Sequence, residues 1–248
     1  MTQITRKLGA LVSACSIHFT TFLFWSHESL VRLIHGQCAD ICEMRISDQL
    51  LERIKARVES SGRRTMRSIS EKSDSYPYFF TGSRDPKKVE NWDENLIISD
   101  LHEHSLEDDL ILAIHEELRQ KFSTAVNSPF AIVNTRMWTT KPGAHRFGPN
   151  AMHNDQFLPG HMKIMIYVTP MDDDHGYFMH EGGEVRHEER GWTLCFANSK
   201  ILHSGVPGTT QNRTCLETTI QRSLMNRPQK RKSYFLGRHY RNPFAVYF

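Results

Sequence analysis

At 248 residues, with 39% hydrophobic and 24% charged residues, the chain can bury a substantial core and has the composition of a soluble globular protein. A net charge of +3 is too small to argue for a nucleic-acid partner, and none is expected. Five cysteines, at 15, 38, 42, 195 and 215, show no repeated spacing and form no zinc ligand set, so they read as reduced thiols in an intracellular, cytoplasmic protein.

The chain opens with "RKLGALVSACSIHFTTFLFW", two basic residues ahead of an uncharged run from Leu8 to Trp25. That run is at the lower edge of spanning length and carries Ser, Thr and His18. "VSAC" loosely resembles a lipoprotein cleavage site but lies too close to Lys7 for a signal core. The expectation is a helix packed on the domain, with residues 8–25 able to make peripheral contact with a membrane surface. Cys38 and Cys42 have the spacing of neighbours on a helix face.

"ISDQLLERIKARVESSGRR" predicts an amphipathic helix, with Ser47 as its cap and Ile46, Leu50, Leu51, Ile54 and Val58 as one stripe. Residues 60–75 are polar and basic and read as a loop. A second helix is expected from the capping-box spacing of Ser105 and Asp108, with a stripe through Leu110, Ile111, Ile114, Leu118 and Phe122. Beyond residue 128 short apolar or alternating runs arrive about every ten residues, between turn residues: "FAIVNTRMW", "KIMIYVTP", "GYFMHE", "WTLCFAN" and "RTCLETTIQR". Such spacing predicts a β-sandwich or barrel behind a helical layer. The expected organisation is one domain: a helical layer with first strands over 1–127, a β core over 128–222 and a basic, aromatic tail over 223–248. The tail's aromatics are expected to pack on the domain while its charges stay in water.

The chemistry concentrates in the β core. His153 and Asp155 are two apart, so an extended chain sends both side chains to one face. His203 follows fifty residues later, and Arg213 ten residues after that. Two imidazoles and one carboxylate on one octahedral face suit Fe(II) and leave three positions open. A guanidinium at 213 could hold a carboxylate through two parallel charge-assisted bonds. Together the four residues point to a metal and a dicarboxylate co-substrate, although an HxD pair alone is common in a chain with fourteen histidines.

The segment "HNDQFLPGHMKIMIYVTP…GWTLCFANSKILHSGVPGTTQNR" resembles the core of the Fe(II)/2-oxoglutarate dioxygenases, and within them is most similar to the phytanoyl-CoA dioxygenase-like branch. The resemblance covers roughly residues 130–222. It implies a mostly β fold with N-terminal helices and a double-stranded β-helix (jelly-roll, cupin-like) core. It implies His153, Asp155 and His203 as catalytic iron ligands, and Arg213 as partner of the 2-oxoglutarate C5 carboxylate. The implied activity uses Fe(II), 2-oxoglutarate and O2 to hydroxylate a C–H bond of a small-molecule substrate, releasing succinate and CO2. Two departures lie where pockets are shaped: "FMHEGGEVRHEERG" stands in place of a "PGSH" motif, and Cys215 occupies a position where relatives carry Ser.

Alternation in "FAIVNTRMW" puts Asn134 and Arg136 on one strand face, as 2-oxoglutarate or substrate contacts or as a solvated outer face. In the following strand Lys163 and Tyr167 share a face and could bond a co-substrate carboxylate, or be a rim lysine and a packed tyrosine. "HEGGEVRHEE", with His180, Glu181, His187 and Glu188, reads as a solvated loop, and His102, Glu103 and His104 as a helix start. His145 and Arg146 could line the pocket entrance. Basic residues at 136, 146, 163 and in the tail suggest an anionic or phosphorylated substrate, or a membrane-associated one. The competing function is a non-catalytic cupin-like module that binds a metal or ligand.

Overall fold

Ser47 caps the first amphipathic helix as its position predicts: its Oγ accepts the Leu50 N–H at 3.3 Å. The cap is itself tied to a second helix, since Ser47 Oγ donates to Glu117 Oε2 at 2.6 Å. The computed structural model describes residues 22–60, 64–65, 96–99, 109–144, 150–155, 159–198 and 200–225, with backbone alone at 64–65, 96–99, 111, 131–136 and 138. Helix α1 runs through 22–35, α2 through Asp48–Ser60 and α3 through Asp109–Val126. Leu50, Leu51, Ile54 and Val58 of α2 and Leu110, Ile114, Leu118 and Phe122 of α3 are buried at the spacing of one helix face. Asn127, at φ 51°, ends α3 in the left-handed conformation that Asn tolerates well.

Among the described residues ten strands follow or interleave: β1 (Ile41–Arg45), β2 (Arg64–Thr65), β3 (Leu96–Ser99), β4 (Phe130–Thr140), β5 (His161–Tyr167), β6 (Gly176–His180), β7 (Gly183–Val185), β8 (Trp192–Phe196), β9 (His203–Pro207) and β10 (Arg213–Arg222). They form an antiparallel sheet of order β1-β8-β5-β10-β4-β3-β2 and a smaller one of order β7-β6-β9. From β5 onward the chain passes back and forth between the sheets, with β5, β8 and β10 in the larger and the β6–β7 hairpin and β9 in the smaller, which a bridge between His153 and His203 extends. This is the expected double-stranded β-helix with helices on one side.

Two apolar clusters divide the interior. Met162, Ile164, Ile166 and Val168 join α2 and α3 in a helix-facing core with Leu216 and Ile220. Tyr167, Leu194, Phe196, Phe178, Val206 and Cys215 form a second core between the sheets. Strand β10 is buried along its whole length because it is central and covered on both faces.

Helix α1 is fastened by a buried arginine. Arg222, 1% exposed, donates from Nη1 to Glu28 Oε1 at 2.8 Å, from Nη2 to the Gly36 carbonyl at 2.8 Å and from Nε to Ser128 Oγ at 3.2 Å. One side chain therefore joins α1, the end of α3 and the last core strand.

Several expectations change. Cys38 and Cys42 do not share a helix: Cys38 follows α1 and Cys42 lies in β1, opposite Cys195 of β8. Strand β1 escapes a pattern search because Glu43 and Arg45 break its apolar run. The loop expected over 60–75 contains the two-residue strand β2. The segment 180–188 is not a loop throughout: β6 and β7 form a hairpin turning at Glu181 and Gly182, and His187 stacks on Trp192 at 3.7 Å while bonding Glu43 Oε2 at 2.7 Å. The 8–21 run, the Ser105–Asp108 cap, His102 to His104, His145, Arg146 and the tail beyond 225 lie outside the described residues. No helix among the described residues is long and apolar enough to cross a membrane.

Replacing Glu28 by Ala would leave the Arg222 guanidinium buried without its carboxylate. The expected cost is about 3–5 kcal/mol of unfolding free energy, measured by urea denaturation.

Candidate metal centre

His153 and His203 are opposed in an antiparallel bridge. His153 N–H donates to His203 O at 2.9 Å, and His203 N–H returns to His153 O at 2.8 Å. Directly opposed residues project to the same side, and the two rings stand 4.5 Å apart between centroids. Asp155 joins them two residues further on, its N–H held by the Asn198 carbonyl at 3.0 Å. Both imidazoles are oriented from behind in the same way. His153 Nδ1 donates to Ala151 O and His203 Nδ1 to Ile201 O, each at 2.8 Å, because a carbonyl can only accept. That assignment leaves both Nε2 lone pairs directed at Asp155: His153 Nε2 is 3.7 Å from Oδ1 and His203 Nε2 is 3.7 Å from Oδ2. All candidate ligand atoms lie within 4.8 Å of one another.

The protonation states suit a metal. Burial pushes the His203 pKa down to about 4, with Lys163 and His153 adding to the effect, so the ring is neutral. Burial works the other way on Asp155, but Lys163, His203 and His153 together outweigh it and hold the carboxyl below its usual range. Phe178 and Phe196 cover the His203 ring at 5.9 and 4.7 Å.

Arg213 begins β10 a short way along the same cavity. Its Nη1 donates to Val206 O at 2.8 Å, and its Nη2 donates to Thr140 Oγ1 and Asn150 Oδ1 at 3.2 Å. Gly205 leaves room for the guanidinium, since a Cβ there would come within 2.4 Å of Nη1. Among the described residues that line this cavity, two buried donors have no hydrogen-bond partner: Arg213 Nε and the hydroxyl of Tyr167. Unmatched buried donors are rare and costly, so a pair of them in one cavity marks a place for an acceptor. Burial also pushes the Tyr167 pKa up, which keeps its hydroxyl a donor. The cavity is lined among others by His153, His203, Lys163, Tyr167, Arg213 and Glu217.

The structure therefore brings together His153, Asp155, His203, Lys163, Tyr167 and Arg213. Asn134 and Arg136 occupy β4 positions registered with Thr219 and Glu217 of β10. Lys163 sits on the metal end of the cavity, 2.5 Å from Asp155 Oδ2 and 3.6 Å from Glu217 Oε2. Its charge is already matched, which removes it as support for an anionic substrate. Sequence reasoning passed over Glu217, Thr140, Asn150 and Asn198. Period two would have found Glu217, which shares strand parity with Arg213 and Cys215.

No protein-family model and no curated protein matches the chain. Among solved structures it is similar to two non-heme α-ketoglutarate-dependent enzymes of nogalamycin biosynthesis. The epimerase SnoN aligns at TM-score 0.51 and 9% identity, over 86% of this chain and 94% of SnoN. The carbocyclase SnoK aligns at 0.51 and 10%, over 77% and 82%. The viral collagen prolyl hydroxylase of Paramecium bursaria Chlorella virus-1 aligns at 0.48 and 13%, over 74% and 97%. The fold is shared with these two α-ketoglutarate-dependent enzymes. At such identities the likeness is one of backbone, and the chemistry rests on this chain's own side chains.

Because the Tyr167 hydroxyl has no partner, Tyr167→Phe should leave stability unchanged or raise it by about 1 kcal/mol. A loss of stability in thermal or urea unfolding would mean that the hydroxyl is held within the protein.

Proposed function

We propose that the protein is an Fe(II)- and 2-oxoglutarate-dependent oxygenase that hydroxylates a C–H bond of a small-molecule substrate. The observation that carries this reading is a single cavity lined both by His153 and His203, which meet Asp155, and by two residues with unmatched donors, Arg213 at Nε and Tyr167 at Oη. An isolated metal-binding module would have no use for the second pair. The spacing of His153, Asp155, His203 and Arg213 is what favours the phytanoyl-CoA dioxygenase-like branch.

In this reading His153, Asp155 and His203 hold the iron through two Nε2 atoms and one carboxylate, and Arg213 with Tyr167 receives the distal carboxylate of 2-oxoglutarate. When bound, Fe(II) and 2-oxoglutarate supply the oxidation of a C–H bond by O2, with succinate and CO2 as co-products. The chain's own contribution is to fix both imidazole tautomers from Ala151 and Ile201 and to keep Asp155 anionic. Phe178 and Phe196 keep water from the His203 side of the centre. Val206, Thr140 and Asn150 hold the guanidinium so that little freedom is lost when a carboxylate binds. SnoN and SnoK are an epimerase and a carbocyclase, so this fold leaves the fate of the oxidised carbon to the substrate pocket.

The test is anaerobic titration of the protein with Fe(II) and then 2-oxoglutarate, following the visible charge-transfer band of the chelate. Wild type should develop the band. Arg213→Ala should need about tenfold to a hundredfold more 2-oxoglutarate, the range expected for losing a charge-assisted hydrogen bond. Asp155→Ala should lose iron binding. Stoichiometric iron at a folded site without the band would favour the cupin-like binder, and a substrate gaining one oxygen in mass under air would identify hydroxylation.

A further inference from the structure

Lys163 is an unusual neighbour for a cation-binding carboxylate. Its ammonium is 2.5 Å from Asp155 Oδ2 and 3.6 Å from Glu217 Oε2, and the Lys163 and Glu217 side chains are only 7% and 4% exposed. The lysine comes from β5 and the glutamate from the neighbouring β10, and both face the same cavity. Burying a lysine and two carboxylates together is costly unless each charge is met, so the trio holds its geometry by mutual pairing.

That geometry bears on the metal in two ways. Two histidines and one carboxylate oxygen occupy three of six octahedral positions and leave three for a chelating co-substrate and O2. If Asp155 gave both oxygens, only two would be left. Lys163 at 2.5 Å, with a longer bond from Asn198 Nδ2 at 3.4 Å, engages Oδ2, so Oδ1 is the oxygen left for a metal. The same ammonium also opposes any cation that draws on Asp155, at a separation where charges interact strongly in a buried site. Glu217 is the other carboxylate that the structure places within reach of Lys163, and it draws that charge away.

Resting on the metal-site reading above, we propose that Lys163 is a positioning residue of the metal centre, which restricts Asp155 to one ligating oxygen at the expense of metal affinity, and that Glu217 counterbalances it. The two residues then have opposite effects on metal binding. Removing the lysine charge tightens the site, and removing the glutamate charge loosens it. Residues that merely support the fold would weaken binding in both cases.

The experiment titrates the full chain with Co(II), which is stable in air at this oxidation state and reports its coordination through visible d–d absorption. Wild type is compared with Lys163→Gln, Lys163→Met and Glu217→Gln, each checked for folding by circular dichroism. Lys163→Gln retains a hydrogen-bond donor for Oδ2 and should bind Co(II) at least tenfold more tightly with a spectrum like wild type. Lys163→Met should bind at least as tightly but with an altered d–d spectrum, as Asp155 Oδ2 keeps only the long bond from Asn198 and can turn to the metal. Glu217→Gln should bind at least threefold more weakly. If Lys163→Met does not fold, Lys163→Gln carries the test. If wild type takes up Co(II) and Lys163→Gln binds no more tightly, this inference fails while the metal site stands. If wild type takes up no Co(II), the metal site fails and takes the inference with it.

Discussion

The reciprocal backbone hydrogen bonds between His153 and His203 are the constraint on which the candidate centre depends. They join segments fifty residues apart at one point of the smaller sheet, and antiparallel pairing then sends both imidazoles to the same side. Everything nearby follows the same logic of backbone first. Each ring is turned by the carbonyl two residues before it, and Asp155 is placed by its own amide on Asn198. Three potential ligands are thus oriented chiefly by main chain, which is the stiffest support a fold can offer.

The barrel separates mechanical from chemical work by strand parity. On β5 the even residues Met162, Ile164 and Ile166 close against α2 and α3, while the odd residues Lys163, Met165 and Tyr167 face the cavity. On β10 Leu216 and Ile220 serve the helix side, and Arg213, Cys215 and Glu217 serve the cavity. A helical layer on the first face is what allows the second to be polar, because the strands are already anchored by apolar burial. Arg222 and Glu28 extend that anchoring to α1 at the far end of β10.

The cavity is densely charged for an interior, and its charges differ in how they are met. Asp155, Lys163 and Glu217 satisfy one another, whereas Arg213 keeps its Nε, and Tyr167 its hydroxyl, without a partner. A site that leaves buried donors open gives up some stability relative to a fully matched core. It gains a preorganised receptor for an anion, since little rearranges when the acceptor arrives.

Much of this was readable from local pattern. Apolar stripes of period 3.6 marked α2 and α3, turn-bounded runs marked the longer strands, and the HxD–His–Arg spacing marked four of the residues that line or approach one cavity. Such signals survive in one dimension because they reflect a single element meeting its surroundings. Short β1, β7 and β9 were not readable, because their pairing is supplied by partners distant in sequence rather than by their own propensity. Nor was the part played by Glu217: in the chain it is one polar residue in "RTCLETTIQR", and only the register of β10 beside β5 sets it near Lys163. The Cys38–Cys42 spacing misled for the same reason, since four residues apart means one face only if the chain is helical, and here it crosses into a strand. Residue types and their periodicity thus decided which faces are apolar and which groups could bind, while long-range strand pairing decided which of those groups meet.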